Sequence, residues 1–159
     1  MLIGGHAVNA YGISRQTGDV DLVAQRSVKE QWLALLKRLK YQVSQSDDRF
    51  ARFRPETLAA WPIDLMFVDD QTFAKLLADS QVTKIGVATV RVVSARHLAT
   101  LKIHALKHYQ EHRHLKDYND LVALLRLERT GISESELRAL CERYASIDLF
   151  DKIKRELKS

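Results

Sequence analysis

Gly4-Gly5-His6-Ala7 and Asp19-Val20-Asp21-Leu22 are the two segments that best predict the fold of this 159-residue chain. The second segment opens a predicted strand over residues 20–24, and side chains two apart in a strand emerge on the same face. Asp19 and Asp21 therefore present two neighbouring carboxylates. The glycine pair precedes a predicted helix and allows an anion to approach the backbone closely. Together the segments predict a site for a metal-bound triphosphate.

A third carboxylate comes from Asp64, in the apolar stretch Pro62-Ile63-Asp64-Leu65-Met66. Like charges held close together repel one another unless a cation neutralises them. Mg²⁺ or Mn²⁺ does so through carboxylate oxygens, and Mg²⁺ keeps positions open for water and substrate phosphate. We therefore predict a metal-binding triad of Asp19, Asp21 and Asp64. The alternative is that Asp-x-Asp belongs to a strand with one solvated face.

Periodicity predicts an α/β (α+β) fold, with a mixed α/β part over residues 1–93 and a helical part over residues 94–159. We expect the two parts to pack as one compact unit. Predicted strands cover 20–24, 41–45, 49–54 and 63–68, with strand character over 82–93 that Gly86 interrupts. Predicted helices cover 6–11, 27–39, 70–77, 98–106, 115–127, 133–144 and 149–157. We predict capping boxes at Ser27 with Glu30 and at Ser133 with Glu136, and a cap at Asp70.

Composition indicates a globular protein with a polyanionic partner. The net charge is +5, the hydrophobic fraction is 46%, and Cys141 is the single cysteine. One cysteine excludes an internal disulfide and fits a reducing compartment. No apolar run reaches the length of a membrane span, and no signal peptide is indicated, so we expect a cytoplasmic protein. Met1-Leu2-Ile3 is short for a strand, which suggests that the natural protein begins further upstream.

Two interpretations are open for Arg15 and for a group of histidines. Arg15 and Thr17 precede the carboxylate strand, where Arg15 either contacts a phosphate or pairs with Asp19. The histidines at 104, 108 and 112 share a helix face, for which a solvated basic surface that could receive an RNA backbone is favoured over a zinc site. We expect core positions for Trp32, Trp61, Phe67 and Cys141.

The glycine and aspartate segments, with Arg15, Thr17 and Ile63-Asp64-Leu65, resemble the DNA polymerase β-like nucleotidyltransferase superfamily. Within it the chain resembles the AbiEii-type minimal nucleotidyltransferases, which include toxins of bacterial toxin–antitoxin systems. Residues 97–105 and 116–121 resemble the helical motifs of that branch. The resemblance extends from Leu2 to about Leu125.

The resemblance implies a mixed sheet flanked by helices, and transfer of a nucleoside monophosphate from an NTP such as ATP. It implies that Asp19 and Asp21 bind the metal ions. It also implies that Asp64 binds the second metal ion and acts as a base towards the acceptor hydroxyl. The remaining positions that it assigns bind nucleotide: Gly4, Gly5, Lys102 and Asp117, with Arg15 and Thr17 as weaker candidates. RNA or tRNA is the expected acceptor, and an antitoxin is an expected partner. Two alternatives stay open: an idle member that binds nucleotide or RNA, and an aminoglycoside-type small-molecule nucleotidyltransferase.

Overall fold

A computed structural model describes residues 1–107 and 111–158, with the side chains of 111–113 excluded. Its chain divides into two compact units, Met1–Val93 and Ser94–Ser159. The expectation that these parts form one compact unit stays a prediction. His108 and the side chain of His112 lie outside the described residues, so the basic histidine face also stays a prediction.

The first unit contains a mixed four-stranded sheet and a two-stranded hairpin. The sheet has the order β1-β4-β3-β2, with β1 parallel to β4 and the other neighbours antiparallel. Its strands are β1 Val20–Gln25, β2 Tyr41–Ser46, β3 Phe50–Pro55 and β4 Ile63–Val68; the hairpin is β5 Gln81–Ile85 with β6 Ala88–Val92; the helices are α1 Gly4–Ala10, α2 Lys29–Arg38 and α3 Asp70–Ala78. The predicted mixed α/β fold is confirmed.

The Met1-Leu2-Ile3 segment lies between the sheet and the hairpin. Leu2 bridges Leu22 of β1 on one side and Val92 of β6 on the other. Its backbone N–H donates to the carbonyl of Arg91 at 2.8 Å, and its own carbonyl accepts from Val93 at 3.2 Å. This segment thus links the hairpin to the sheet immediately before α1 begins.

Alternation along the strands separates a core face from a site face. Phe53, Leu65 and Phe67 are almost fully buried and pack with Leu36 of α2. Because neighbouring residues of a strand point to opposite faces, the burial of Leu65 directs Asp64 to the other face of the sheet. The core packing therefore fixes the direction in which the third carboxylate points.

Two predicted helix caps are wrong. A 3₁₀ turn over Arg26–Val28 precedes α2, and the Ser27 hydroxyl donates instead to Asp70 Oδ1 at 2.8 Å. Helix α3 is capped by Asp69, whose carboxylate accepts from the backbone N–H of Thr72 at 2.7 Å. Asp70 is the first residue of that helix, where its carboxylate is free to bind Ser27 across the fold.

The second unit is helical, as predicted. It contains α4 Ala95–Leu106, α5 Glu111–Leu125, α6 Glu134–Tyr144 and α7 Ile147–Lys158. The predicted capping box of Ser133 and Glu136 is confirmed at the start of α6. Cys141 is fully buried on α6, and burial raises the pKa of its thiol to about 11. Among the described residues, none of the helices combines the length and hydropathy needed to cross a bilayer.

Candidate active site

The parallel pairing of β1 with β4 brings the predicted carboxylates together. Asp21 lies directly opposite Asp64 in the register, and Asp19 immediately precedes the strand. One carboxylate oxygen from each of the three residues lies within 4.8 Å of the others. Asp64 is 6% exposed, whereas Asp19 and Asp21 are partly exposed. The site is therefore anchored at its buried end and open on the side of Asp19 and Asp21.

This donor set fits a divalent cation. Three convergent carboxylates provide the hard oxygen ligands that Mg²⁺ and Mn²⁺ prefer, and they repel one another when no cation lies between them. Asp19, Asp21 and Asp64 are the residues that would hold such ions. Their metal-binding roles stay predictions, whereas their convergence is a property of the fold.

Arg52 of β3 is a site residue that the sequence analysis missed. It faces Asp64 across the β3–β4 ladder and donates Nε–H to Oδ1 at 3.0 Å and to Oδ2 at 3.1 Å. A third bond joins its terminal nitrogen to Oδ2 at 2.8 Å. These hydrogen bonds raise the pKa of the Arg52 guanidinium. Only the cross-strand register reveals this pair, since the residues are separated by a turn and a loop.

Gly4 and Gly5 lie against site side chains. A Cβ on Gly4 would stand 1.9 Å from Asp21 Oδ2, and the φ of Gly4 is +64°. A Cβ on Gly5 would stand 1.9 Å from a terminal nitrogen of Arg15 and 2.7 Å from Thr17 Oγ1. Both glycines are thus required for close packing around the carboxylates, in addition to any approach of a phosphate to their backbone.

The loop between α1 and β1 holds Arg15 and Thr17 beside the triad. Thr17 Oγ1 donates to Asp19 Oδ1 at 3.0 Å, which orients that carboxylate. Asn9 of α1 fixes the loop with two hydrogen bonds to the backbone of Arg15, at 2.8 and 2.9 Å. The structure therefore places both predicted residues near the carboxylates, and Thr17 directly supports one of them.

His6 and Trp61 form an aromatic pair in the same unit. Their ring centroids are 4.7 Å apart at an interplanar angle of 20°, and His6 Nε2 is buried with no hydrogen-bond partner among the described residues. Burial lowers the pKa of His6, and the nearby charge of Asp19 partly opposes that shift. The expected core position of Trp61 is wrong, because its ring stacks on His6 and stays 49% exposed. Trp32 and Phe67 pack in or against the core as predicted.

Lys102 and Asp117 meet each other in the second unit. The Lys102 ammonium lies 2.6 Å from Asp117 Oδ1 and 2.6 Å from Asp120 Oδ2. Lys102 is 6% exposed and Asp120 is 5% exposed, so this network is buried. Asp120 was not expected, although it lies one helical turn beyond Asp117 on α5 and hence on the same face. The nucleotide-binding roles of Lys102 and Asp117 stay predictions.

Solved structures of nucleotidyltransferases share this fold. The structure of ANT(2")-Ia in complex with adenylyl-2"-tobramycin is 18% identical, with 91% of this chain and 87% of that chain covered and a TM-score of 0.64. The lincomycin-bound lincosamide antibiotic adenylyltransferase LnuA is 15% identical, with 79% and 84% covered and a TM-score of 0.55. An antigenic nucleotidyltransferase-like protein from Paracoccidioides brasiliensis is 18% identical, with 96% and 83% covered and a TM-score of 0.53. These likenesses show that the chain shares the fold of these structures.

The family match is more specific. Residues 1–156 match the family described as "Nucleotidyl transferase AbiEii toxin, Type IV TA system". The chain therefore belongs to the AbiEii family, and the resemblance inferred from its motifs is confirmed. A comparison with curated proteins gave no match.

Proposed function

We propose that this nucleotidyltransferase uses Mg²⁺ or Mn²⁺ to transfer a nucleoside monophosphate from an NTP to a hydroxyl of RNA, with tRNA included. The convergence of Asp19, Asp21 and Asp64 within 4.8 Å carries the proposal. Action in the cytoplasm as the toxin of a toxin–antitoxin pair, with a cognate antitoxin as partner, is part of the same proposal, and family membership supports it.

The three carboxylates divide the chemistry among them. A bound divalent metal would supply charge neutralisation at the triphosphate and would orient the reacting groups. Asp19 and Asp21 would hold the metals, and Asp64 would ligate the second metal and accept the proton of the acceptor hydroxyl. That oxygen bonds to the α-phosphorus as the bond to pyrophosphate breaks. Oδ1 of Asp64 accepts one hydrogen bond from Arg52 and keeps a second lone pair, whereas Oδ2 accepts two.

The triphosphate would approach the backbone of Gly4 and Gly5, against which the side chains of Asp21 and Arg15 pack. Arg15 would supply a fixed positive charge there. Thr17 would act through Asp19, whose carboxylate it orients. Lys102 and Asp117, in the second unit, are proposed as further nucleotide-binding residues on the ground of the family motif alone.

The net charge of +5 supports a nucleic-acid acceptor. A positive surface attracts a polyanion and repels a cationic drug such as an aminoglycoside. This argument favours RNA over the small-molecule acceptors named with the antibiotic-modifying proteins of similar fold.

The alternative of a catalytically idle family member predicts nucleotide binding without release of pyrophosphate.

A transfer assay tests the proposal. Each labelled NTP would be incubated in turn with Mg²⁺ or Mn²⁺ and total bacterial RNA, beside Asp19→Ala and the control Asp48→Ala, an exposed acid outside the triad. We expect label in RNA with the unmodified protein and with Asp48→Ala, and at least about a thousandfold less with Asp19→Ala. Thermal melting would confirm that each variant is folded.

Other outcomes would overturn parts of the proposal. Label on an aminoglycoside or lincosamide, with none on RNA, would make the protein a small-molecule nucleotidyltransferase. Nucleotide binding measured by calorimetry, without release of pyrophosphate from any acceptor mixture, would identify an idle member. Equal activity of Asp19→Ala would remove the triad from the reaction.

A further inference from the structure

The contact between Arg52 and Asp64 is the strongest feature of the site that the proposed chemistry leaves unused. Three hydrogen bonds of 2.8 to 3.1 Å join the guanidinium to both carboxylate oxygens. The side chain of Asp64 is 8% exposed and that of Arg52 is 31% exposed. An arginine fork bound to a carboxylate in this way fixes the orientation of the carboxylate as well as its charge.

This cation occupies the oxygens that a metal needs. Asp64 is the most buried member of the triad, and its charge is the most costly to leave uncompensated. Arg52 provides that compensation in the absence of metal. A divalent ion that binds the triad would therefore lie close to the Arg52 guanidinium, which is hydrogen-bonded to Asp64. The two positive charges repel each other, and this repulsion weakens metal binding.

We propose that Arg52 is a positioning residue that orients Asp64 and competes with the divalent cation for its oxygens, so that it lowers the metal affinity of the resting enzyme. The inference rests on the proposed metal-dependent function. Arg52 holds Asp64 in its productive direction throughout. It also limits metal binding until the negative charge of the triphosphate is added to the site.

The two roles predict opposite effects in a single variant. Replacing Arg52 with glutamine removes the competing charge, so the triad binds metal more tightly. The same replacement removes the two-point clamp, so Asp64 is less well oriented and turnover falls. A residue that served the fold alone would weaken metal binding and turnover together.

Calorimetric titration with Mn²⁺ in the absence of nucleotide tests the inference. We expect Arg52→Gln to lower the Kd for Mn²⁺ by about tenfold and to lower kcat by at least about tenfold. Arg52→Lys keeps the charge and loses the fork, so its Mn²⁺ affinity should stay within about threefold of the unmodified protein while kcat falls. Arg54→Gln is the matched control on the same strand face, because Arg54 is exposed and its loss should change neither quantity.

Several results would overturn the inference. Weaker Mn²⁺ binding by Arg52→Gln with a lower melting temperature would make Arg52 a structural residue. An affinity equal to that of Arg54→Gln would exclude competition. If Arg52→Gln does not fold, the orienting role is tested with Arg52→Lys. A kcat of Arg52→Lys equal to that of the unmodified protein would exclude this role. Failure of the proposed function would look different, because the unmodified protein would then bind Mn²⁺ no better than Asp19→Ala.

Discussion

The two units of this protein each bring carboxylates together, but in opposite arrangements. In the first unit, Asp19, Asp21 and Asp64 converge on one another. In the second unit, Asp117 and Asp120 converge on the ammonium group of Lys102. Carboxylates around a lysine satisfy a buried cation within the fold. Carboxylates that face one another create a repulsion that a bound cation relieves. From this comparison we expect the second cluster to contribute to the stability of its own unit and the first to be stabilised by an added cation.

The largest expected effect on stability would test the second cluster. Lys102→Met removes the ammonium group and leaves two acids without it in a buried site, which should lower the free energy of unfolding by about 3–5 kcal/mol. Urea denaturation measures this change. Lys84→Met, at an exposed lysine of β5, is the control and should match the unmodified protein. A stable Lys102→Met variant would mean that the network is not structural and that the comparison fails.

Substitution in the first cluster should have the opposite sign and a smaller size. Asp19→Asn reduces the repulsion among the carboxylates and keeps an oxygen for the Thr17 hydroxyl. Without divalent metal, we expect the free energy of unfolding to rise by about 0.5–1 kcal/mol. Urea denaturation in a chelator measures it, with Asp48→Asn as control. Adding Mn²⁺ should then stabilise the unmodified protein more than the variant. A less stable Asp19→Asn variant would show that the triad supports the fold.

The smallest expected effect on stability concerns the exposed ion pair of Arg96 and Glu136, which belongs to neither carboxylate cluster. The hydrogen bond from Arg96 to Glu136 lowers the pKa of Glu136 to about 2, from an ordinary value of 4.5. A carboxyl group whose pKa is lowered by folding stabilises the folded state at pH values above its ordinary pKa of 4.5. This contribution is lost as the pH falls from 4.5 to about 2. Glu136→Gln should therefore melt below the unmodified protein at pH 6, and the difference should narrow by pH 3.

The control for that experiment is Glu142→Gln on the same helix. Glu142 is exposed and pairs with Arg138 one turn away at 3.0 Å. Glutamine at position 136 retains the reach of a capping-box partner, so the substitution tests charge more than capping. A melting difference for Glu136→Gln that stays constant from pH 6 to pH 3 would contradict the assigned pKa shift.

Much of the first unit was predictable because its strands carry local signals. Alternation placed the strands near their observed ends, and the Asp-x-Asp spacing correctly put Asp19 and Asp21 near each other. The error at Ser27 shows the limit of local patterns. Its spacing to Glu30 fits a capping box, but Asp70, from a distant part of the chain, takes its hydroxyl. Capping signals compete with tertiary partners that sequence alone does not reveal.

The Arg52–Asp64 and His6–Trp61 pairs were missed for the same reason. Arg52 reaches Asp64 because β3 and β4 pair in one particular register. His6 reaches Trp61 because the loop before β4 comes back to α1. Neither pair has a characteristic spacing along the chain. For Arg52, a shift of one residue in the strand register would place its side chain on the opposite face of the sheet. Asp120 could have been found, because its spacing from Asp117 places both acids on one face of α5.

The closeness of Gly4 to Asp21 has an evolutionary consequence. Any side chain at position 4 would adopt an unfavourable left-handed conformation and would collide with the carboxylate of Asp21. A single mutation in the Gly4 codon would force that carboxylate to move, while the core residues Phe53, Leu65 and Phe67 lie on the other face of the sheet. Under the proposed function, one mutation at this codon would inactivate the site in a lineage that no longer needs the reaction. A residue other than glycine at this position in a related gene is then expected to mark an inactive copy.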